Sequence, residues 1–152
     1  MAIALAAICE SISTIEVSQV RIKDLDEIPE GILPRDCPVL FPEPVNFVTD
    51  FTATPHSFQR GSGSKWELHY RLHYKFCYAP VGSDRGLVLY DDMANKAMQI
   101  IDAILRVTVD VSGATRVTIG DALNFGQVTD PAGELYLGCE IVLAILDLQE
   151  LA

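Results

Sequence analysis

Basic side chains are scarce in this chain: 11 Lys and Arg stand against 21 Asp and Glu, a formal net charge of -10 over 152 residues. That imbalance excludes a broad cationic surface gripping nucleic acid by its phosphates. It leaves open a wall past which DNA slides, because carboxylates repel phosphate. Paired cysteines are missing as well. Cys9, Cys37, Cys77 and Cys139 include no C-x-x-C and match no zinc spacing. They read as reduced thiols of a cytosolic protein, small residues filling a core. The only apolar start, Met1 to Ile8, lacks a basic segment before it and meets Glu10 too soon to span a bilayer. Neither a signal peptide nor a membrane segment is expected. With no internal repeat and no linker, residues 1–152 read as a single domain.

Catalytic signatures are also lacking. No G-x-S-x-G, H-E-x-x-H or G-x-G-x-x-G occurs. The Gly/Ser-rich segment Thr54–Ser64 lacks P-loop spacing and leads into a strand rather than a helix, so it reads as a flexible hairpin tip. His69 and His73 are the best metal candidates. On a strand, though, residues four apart sit roughly 13 Å apart on one face, too far to share an ion. With Glu67 and Arg71 interleaved, they read as a solvated face. Asp91 and Asp92 are adjacent on a helix and point apart. They serve better as first-turn charges complementing the helix dipole. No catalytic residue, metal or cofactor is assigned.

What the chain does have is a stretch of strict alternation, Lys65 to Ala79. Even positions from Trp66 to Tyr78 are aromatic or Leu, and odd positions from Lys65 to Lys75 are charged or His. This is a strand with one packed and one wet face. Its length, roughly 50 Å if straight, far exceeds the usual five or six residues, so one end is expected to leave its own domain. Around it, Ala2–Ile15 reads as a helix with Leu5, Ile8, Ile12 and Ile15 on one stripe. Val17–Ile22, Val39–Phe41 and Val45–Thr52 read as short strands, the last with Val45, Phe47 and Phe51 packed. Leu87–Arg106 reads as an amphipathic helix with Tyr90, Met93, Ala94, Ala97, Ile101, Ile104 and Leu105 inward. Thr115–Ile119 and Phe125–Thr129 are further strand candidates. A turn at Asp130–Gly133 precedes a last strand, Glu134–Asp147, whose doubly apolar half belongs at the sheet centre. The fold class expected is α+β: a mostly antiparallel sheet packed by two main helices, with a long β-hairpin or overlong strand.

The layout of a short apolar helix, the Pro-rich Pro38-Val-Leu-Phe-Pro-Glu-Pro44, a Gly/Ser loop, Trp66–Tyr74, the helix Asp92–Leu105 and a closing strand with Tyr136–Val142 resembles the tail terminator (tail completion) proteins of long-tailed bacteriophages. The resemblance implies a non-enzymatic virion protein assembled in the host cytoplasm. It would form a homo-oligomeric ring, usually a hexamer. The ring caps the tail tube, ends its polymerisation and meets the head or neck connector proteins. It meets the sheath too if the tail contracts, and DNA passes through the lumen without sequence-specific binding. Neighbouring head-completion, stopper or adaptor proteins of the neck share the size. A small cytosolic α+β ligand-binding or enzymatic domain is the alternative from another class. For intersubunit or tube contact the candidates are Phe58, Gln59 and Arg60 in the loop, and Lys65, Trp66, His69, Arg71 and His73 on or near the long strand.

Overall fold

The computed structural model describes residues 3–57, 64–82, 86–109 and 114–151. In chain order these form helix α1 (Leu5–Ser13), β1 (Arg21–Ile22), β2 (Val39–Pro42), β3 (Val48–Ser57), β4 (Ser64–Pro80), helix α2 (Gly86–Val107), β5 (Ala114–Ile119), β6 (Gly126–Thr129) and β7 (Leu135–Leu151). The fold is α+β: two helices pack on one mixed, mostly antiparallel sheet that curls into a half-barrel. The one parallel pairing is β1 with β2. No described helix is long and apolar enough to cross a membrane.

The alternating stretch becomes β4, but its length is not surplus. β7 is just as long and pairs with β4 antiparallel from Ser64↔Leu151 to Pro80↔Tyr136. The expectation that one end of β4 leaves its own domain is therefore corrected: both ends find backbone partners on β7. The expected end of the last strand, Asp147, was early by four residues because Leu148–Leu151 continues the ladder. β2, β3, β5 and β6 join this ribbon in tandem along its edges, and β1 follows through β2. β2 lies beside residues 74–77 of β4 and β3 beside 65–72. On the far side β6 lies beside residues 135–138 of β7 and β5 beside 143–147.

Side-chain alternation assigns the two faces. Leu68, Tyr70, Leu72, Tyr74 and Phe76 of β4 join Cys139, Ile141, Leu143 and Ile145 of β7 beneath the helices, all buried. From α1 come Ile8, Cys9 and Ile12, and from α2 Met93, Ala97, Ile100, Ile101 and Ile104. Among the described residues, the opposite face is covered only at one end, by a second cluster of Ile32, Val39, Phe41, Cys77 and Tyr136. There the buried Asp130 carboxylate caps its own turn by accepting from Ala132 and Glu134 amides at 3.0 and 2.8 Å. Its other oxygen accepts from the Ile32 amide at 3.0 Å.

Several expected elements shift. α1 covers only Leu5–Ser13, and Ile15 is buried after the helix ends rather than on its stripe. The strand expected over Val17–Ile22 contracts to Arg21–Ile22. β3 starts at Val48, leaving Val45 81% exposed rather than packed. It also runs on through Ser57, beyond the Thr52 expected, because β4 pairs with it past the segment read as loop. α2 begins at Gly86, so Asp91 and Asp92 lie past its first turn and do not cap it. Asp92 instead accepts a short hydrogen bond from the Tyr78 hydroxyl, which holds its carboxyl below the usual range, and pairs with Lys96. Tyr90 is exposed, and Ile100 takes an inward place the stripe did not include.

One buried polar group joins the two ends of the chain. Asp147 sits on the helix-side face with no exposure. Its Oδ2 accepts from the Ala4 amide at 2.8 Å and the Tyr70 hydroxyl at 3.3 Å, and its Oδ1 accepts from Gln149 Nε2 at 2.5 Å. A buried carboxylate is tolerable only when so many donors replace water. Replacing Asp147 with Ala strands these donors in the core. We expect Asp147→Ala to lower unfolding free energy by about 3 kcal/mol, with Asp147→Asn costing less, as read from urea midpoints.

Candidate functional site

The face of the sheet away from the helices is the chemically busiest surface. Its strand residues alternate with those of the core, so the same period-2 pattern that buries Tyr70 and Tyr74 turns Glu67, His69, Arg71 and His73 outward. Cross-strand register then supplies their neighbours. Row by row, Thr52, His69, Leu146 and Arg116 lie side by side, as do Thr49, Arg71, Ala144 and Thr118.

Arg71 is held between two carboxylates. Its Nη1 donates to Asp121 Oδ2 at 3.0 Å, and its Nε lies 3.6 Å from Asp50 Oδ2. His69 Nε2 is 3.2 Å from Glu67 Oε2 and half exposed. His73 is different, and the solvated face expected for it is corrected. Only 16% of its side chain is exposed, with both ring nitrogens engaged: Nε2 lies 2.6 Å from Thr49 Oγ1 and Nδ1 2.5 Å from Glu140 Oε1. Hydroxyl, imidazole and carboxylate thus stand in the order of a nucleophile relay, one group each from β3, β4 and β7. The adjoining cavity of about 390 Å³ is lined by Asp121, Ala122, Asn124, Gln127, Val128, Glu140 and Val142, but not by Thr49. A reacting atom seated there would meet the carboxylate end of the relay rather than its hydroxyl, so the arrangement works as a clasp across three strands. Lys75 donates to the Thr129 carbonyl at 2.9 Å and ties β4 to the end of β6.

The other expected contact residues are scattered. Lys65 is exposed at the start of β4, opposite Ser57 and Glu150. Trp66 points to the helix-side face and is half-buried between Pro55 and Gln149 in register. Phe58, Gln59 and Arg60 lie outside the described residues. His69, Arg71 and His73 are therefore the ones brought onto one surface. Sequence reasoning missed Thr49, Asp50, Asp121 and Glu140, which come from three separate segments and are brought together only by the fold. The sole signal for them was the polar alternation of Thr49, Thr52 and Thr54 beside the His-rich face.

Beside Thr49 the ladder carries a β-bulge: Thr49 pairs with Arg71 and Thr52 with His69, so Asp50 and Phe51 together oppose Tyr70. Asp50 adopts φ +53°, a left-handed conformation that Asp tolerates better than most residues. The extra residue lets the Phe51 ring stack on Tyr70, centroids 5.1 Å apart and planes 9° from parallel, while Phe51 stays 48% exposed.

Among the described residues, no group of three or more His, Cys, Asp or Glu side chains is arranged to hold a metal ion. The cysteines are free thiols. Burial pushes Cys9 and Cys37 up to about 11 and Cys77 and Cys139 up to about 12, so none is a thiolate nucleophile at neutral pH. Burial also raises the Tyr70 and Tyr74 phenols. Well below pH 9 these groups are neutral in both folded and unfolded chains, and the stability they contribute is fully present. As pH rises through 9, and on to about 11 for Cys9 and Cys37 and about 12 for Cys77 and Cys139, the unfolded chain loses thiol protons that the native protein keeps, so stability should fall. Urea midpoints at pH 8, 9 and 10 should decline in that order; a flat profile would contradict the burial of these thiols. No protein-family model matches the chain, and no curated protein matches it either.

Proposed function

We propose that this chain is a non-enzymatic structural protein of a long-tailed bacteriophage: a tail terminator that assembles into a ring, caps the tail tube and joins it to the head or neck. The observation that carries the reading is the open sheet face opposite the two helices. On a chain of net charge -10, the arginine and histidines that β4 turns onto this face each lie against a carboxylate: Arg71 with Asp50 and Asp121, His73 with Glu140, His69 with Glu67, while Arg116 stands apart at the β5 edge. Such a face gives a phosphate backbone little to grip, as the lumen of a DNA conduit requires. The helices would then form the outer layer. The Thr49–His73–Glu140 clasp keeps the wall rigid without adding free positive charge.

A second reading is a small ligand-binding domain, favoured by the cavity of about 390 Å³ beside Asp121 and Glu140. Its volume suits a small molecule. Its carboxylates and amides, Asp121, Asn124, Gln127 and Glu140, would select a polar, cationic one.

Polymerising tail tube protein in the presence of this chain separates the two. Negative-stain images should show tubes that stop growing and carry a ring at one end; tubes that grow unchecked would overturn the terminator role. Virions lacking the protein should have overlong or headless tails, whereas normal-length tails that leak DNA would point to a stopper. Arg71→Glu sets three carboxylates together on the face. It should weaken ring or tube assembly while costing no more than about 1 kcal/mol of fold stability, since the pairs it breaks are solvent-accessible. Unchanged assembly would remove Arg71 from the contact.

A further inference from the structure

The two lateral edges of the sheet are built to fit each other. Across the row Thr49, Arg71, Ala144 and Thr118 the sheet is four strands wide, in the order β3-β4-β7-β5, each antiparallel to its neighbour. β3 and β5 therefore run in opposite directions, and each pairs on one side only among the described strands. A second copy set beside the first in the same orientation brings its β3 alongside β5 as the next antiparallel strand, with no change of direction. Backbone alternation leaves groups free to do so. The His73 amide donates to the Phe47 carbonyl, so Val48, one residue on, turns its amide and carbonyl to the outer edge. The Gly120 amide donates to the Val142 carbonyl, so Val117 and Ile119 turn theirs outward on β5.

The side chains along these edges are complementary as well. At the β3 edge the bulge projects Phe51, 48% exposed, with Val48 beside it at 36%. At the β5 edge lies a hollow of about 200 Å³ lined by Leu105, Thr108, Val109, Arg116 and Val117, where Val109 is 74% exposed. Both features lie toward the helical layer: Phe51 through its stack on Tyr70, the hollow through the end of α2. The exposed acid next to Phe51 is Asp50, and the exposed base rimming the hollow is Arg116.

We infer that the β3 edge of one copy docks antiparallel on the β5 edge of the next, with Phe51 seated in the hollow at Leu105, Val109 and Val117 and Asp50 facing Arg116. Such a contact is head-to-tail, so it propagates from copy to copy and closes into a ring or winds into a filament. Free strand edges are where a second chain adds backbone hydrogen bonds. The interface stands on the edge geometry alone, although it also supplies the ring that the proposed function needs.

Two variants of the full chain test it. Phe51→Asp spoils the β3 edge and Val109→Asp spoils the hollow, and each leaves the other edge intact. By light scattering, the wild type should have a mass several times 16.7 kDa. Each variant alone should fall to a single chain, and an equimolar mixture should form heterodimers and nothing larger. A monomeric wild type, a variant that assembles like wild type, or a mixture that stays monomeric would each overturn the interface. Should circular dichroism show either variant unfolded, the charge pair takes over. Asp50→Arg and Arg116→Asp should each weaken assembly and the double variant restore it; failure to restore would overturn the pairing. Rings that form through these edges yet leave tube growth unchecked would defeat the terminator reading and keep the interface. Rings that persist in both edge variants would do the reverse.

Discussion

Everything in this protein hangs on the pairing of β4 with β7. Each strand is seventeen residues long, and together they make a ribbon on which β2, β3, β5 and β6 each find an edge, with β1 added through β2. Two isolated strands would be marginal in water. The ribbon holds because one of its faces carries a continuous row of large apolar groups, Leu68 through Phe76 against Cys139 through Ile145, that only the two helices can cover. Register follows from the same constraint, since a slip of one residue would drive Arg71 and His73 into the core and Tyr70 and Tyr74 into water.

A second constraint fixes where the ribbon bends. An ideal Cβ placed on Gly138 would lie 1.8 Å from the Phe76 carbonyl oxygen, so at that position the backbones approach too closely for any side chain. One step further along β4, the register shifts between Cys77 and Ala79, leaving Tyr78 as the extra residue. Glycine and bulge together let the strands coil, and the coil brings Tyr136 over to Val39 and Ile32 to seal one end of the open face. Tyr136 completes that seal by donating its hydroxyl to the Ile32 carbonyl at 2.7 Å.

The parts of this architecture legible in the sequence are those written in periodicity. The alternation of Trp66–Tyr78 marked β4 and both of its faces, and the Met93–Ala97–Ile104 spacing marked α2. The doubly apolar Ile141–Leu146 marked a central strand. What periodicity could not convey is partnership. That β7 pairs with β4 from end to end is a property of two segments some seventy positions apart, and without it the length of β4 reads as an overhang. His73 suffered in the same way. Read along its own strand it alternates with Tyr and belongs to a wet face; only the fold that sets Thr49 on one side and Glu140 on the other turns it into a partly buried clasp. The bulge at Asp50 was hidden because nothing in Thr-Asp-Phe-Thr announces a left-handed residue. Its effect, Phe51 stacked yet exposed, depends on Tyr70 lying opposite.

The bond between the Ala4 amide and Asp147 spans 143 positions of the chain. α1 cannot take up its final seat until β7 has been laid against β4, because its leading amide and Tyr70 share a carboxylate that β7 carries. On a ribosome α1 emerges well before β7 and would therefore wait for it before docking. Until then its stripe of Ile8, Cys9 and Ile12 stays uncovered beside the half-built sheet, and the nascent chain is most exposed to wrong association at that stage.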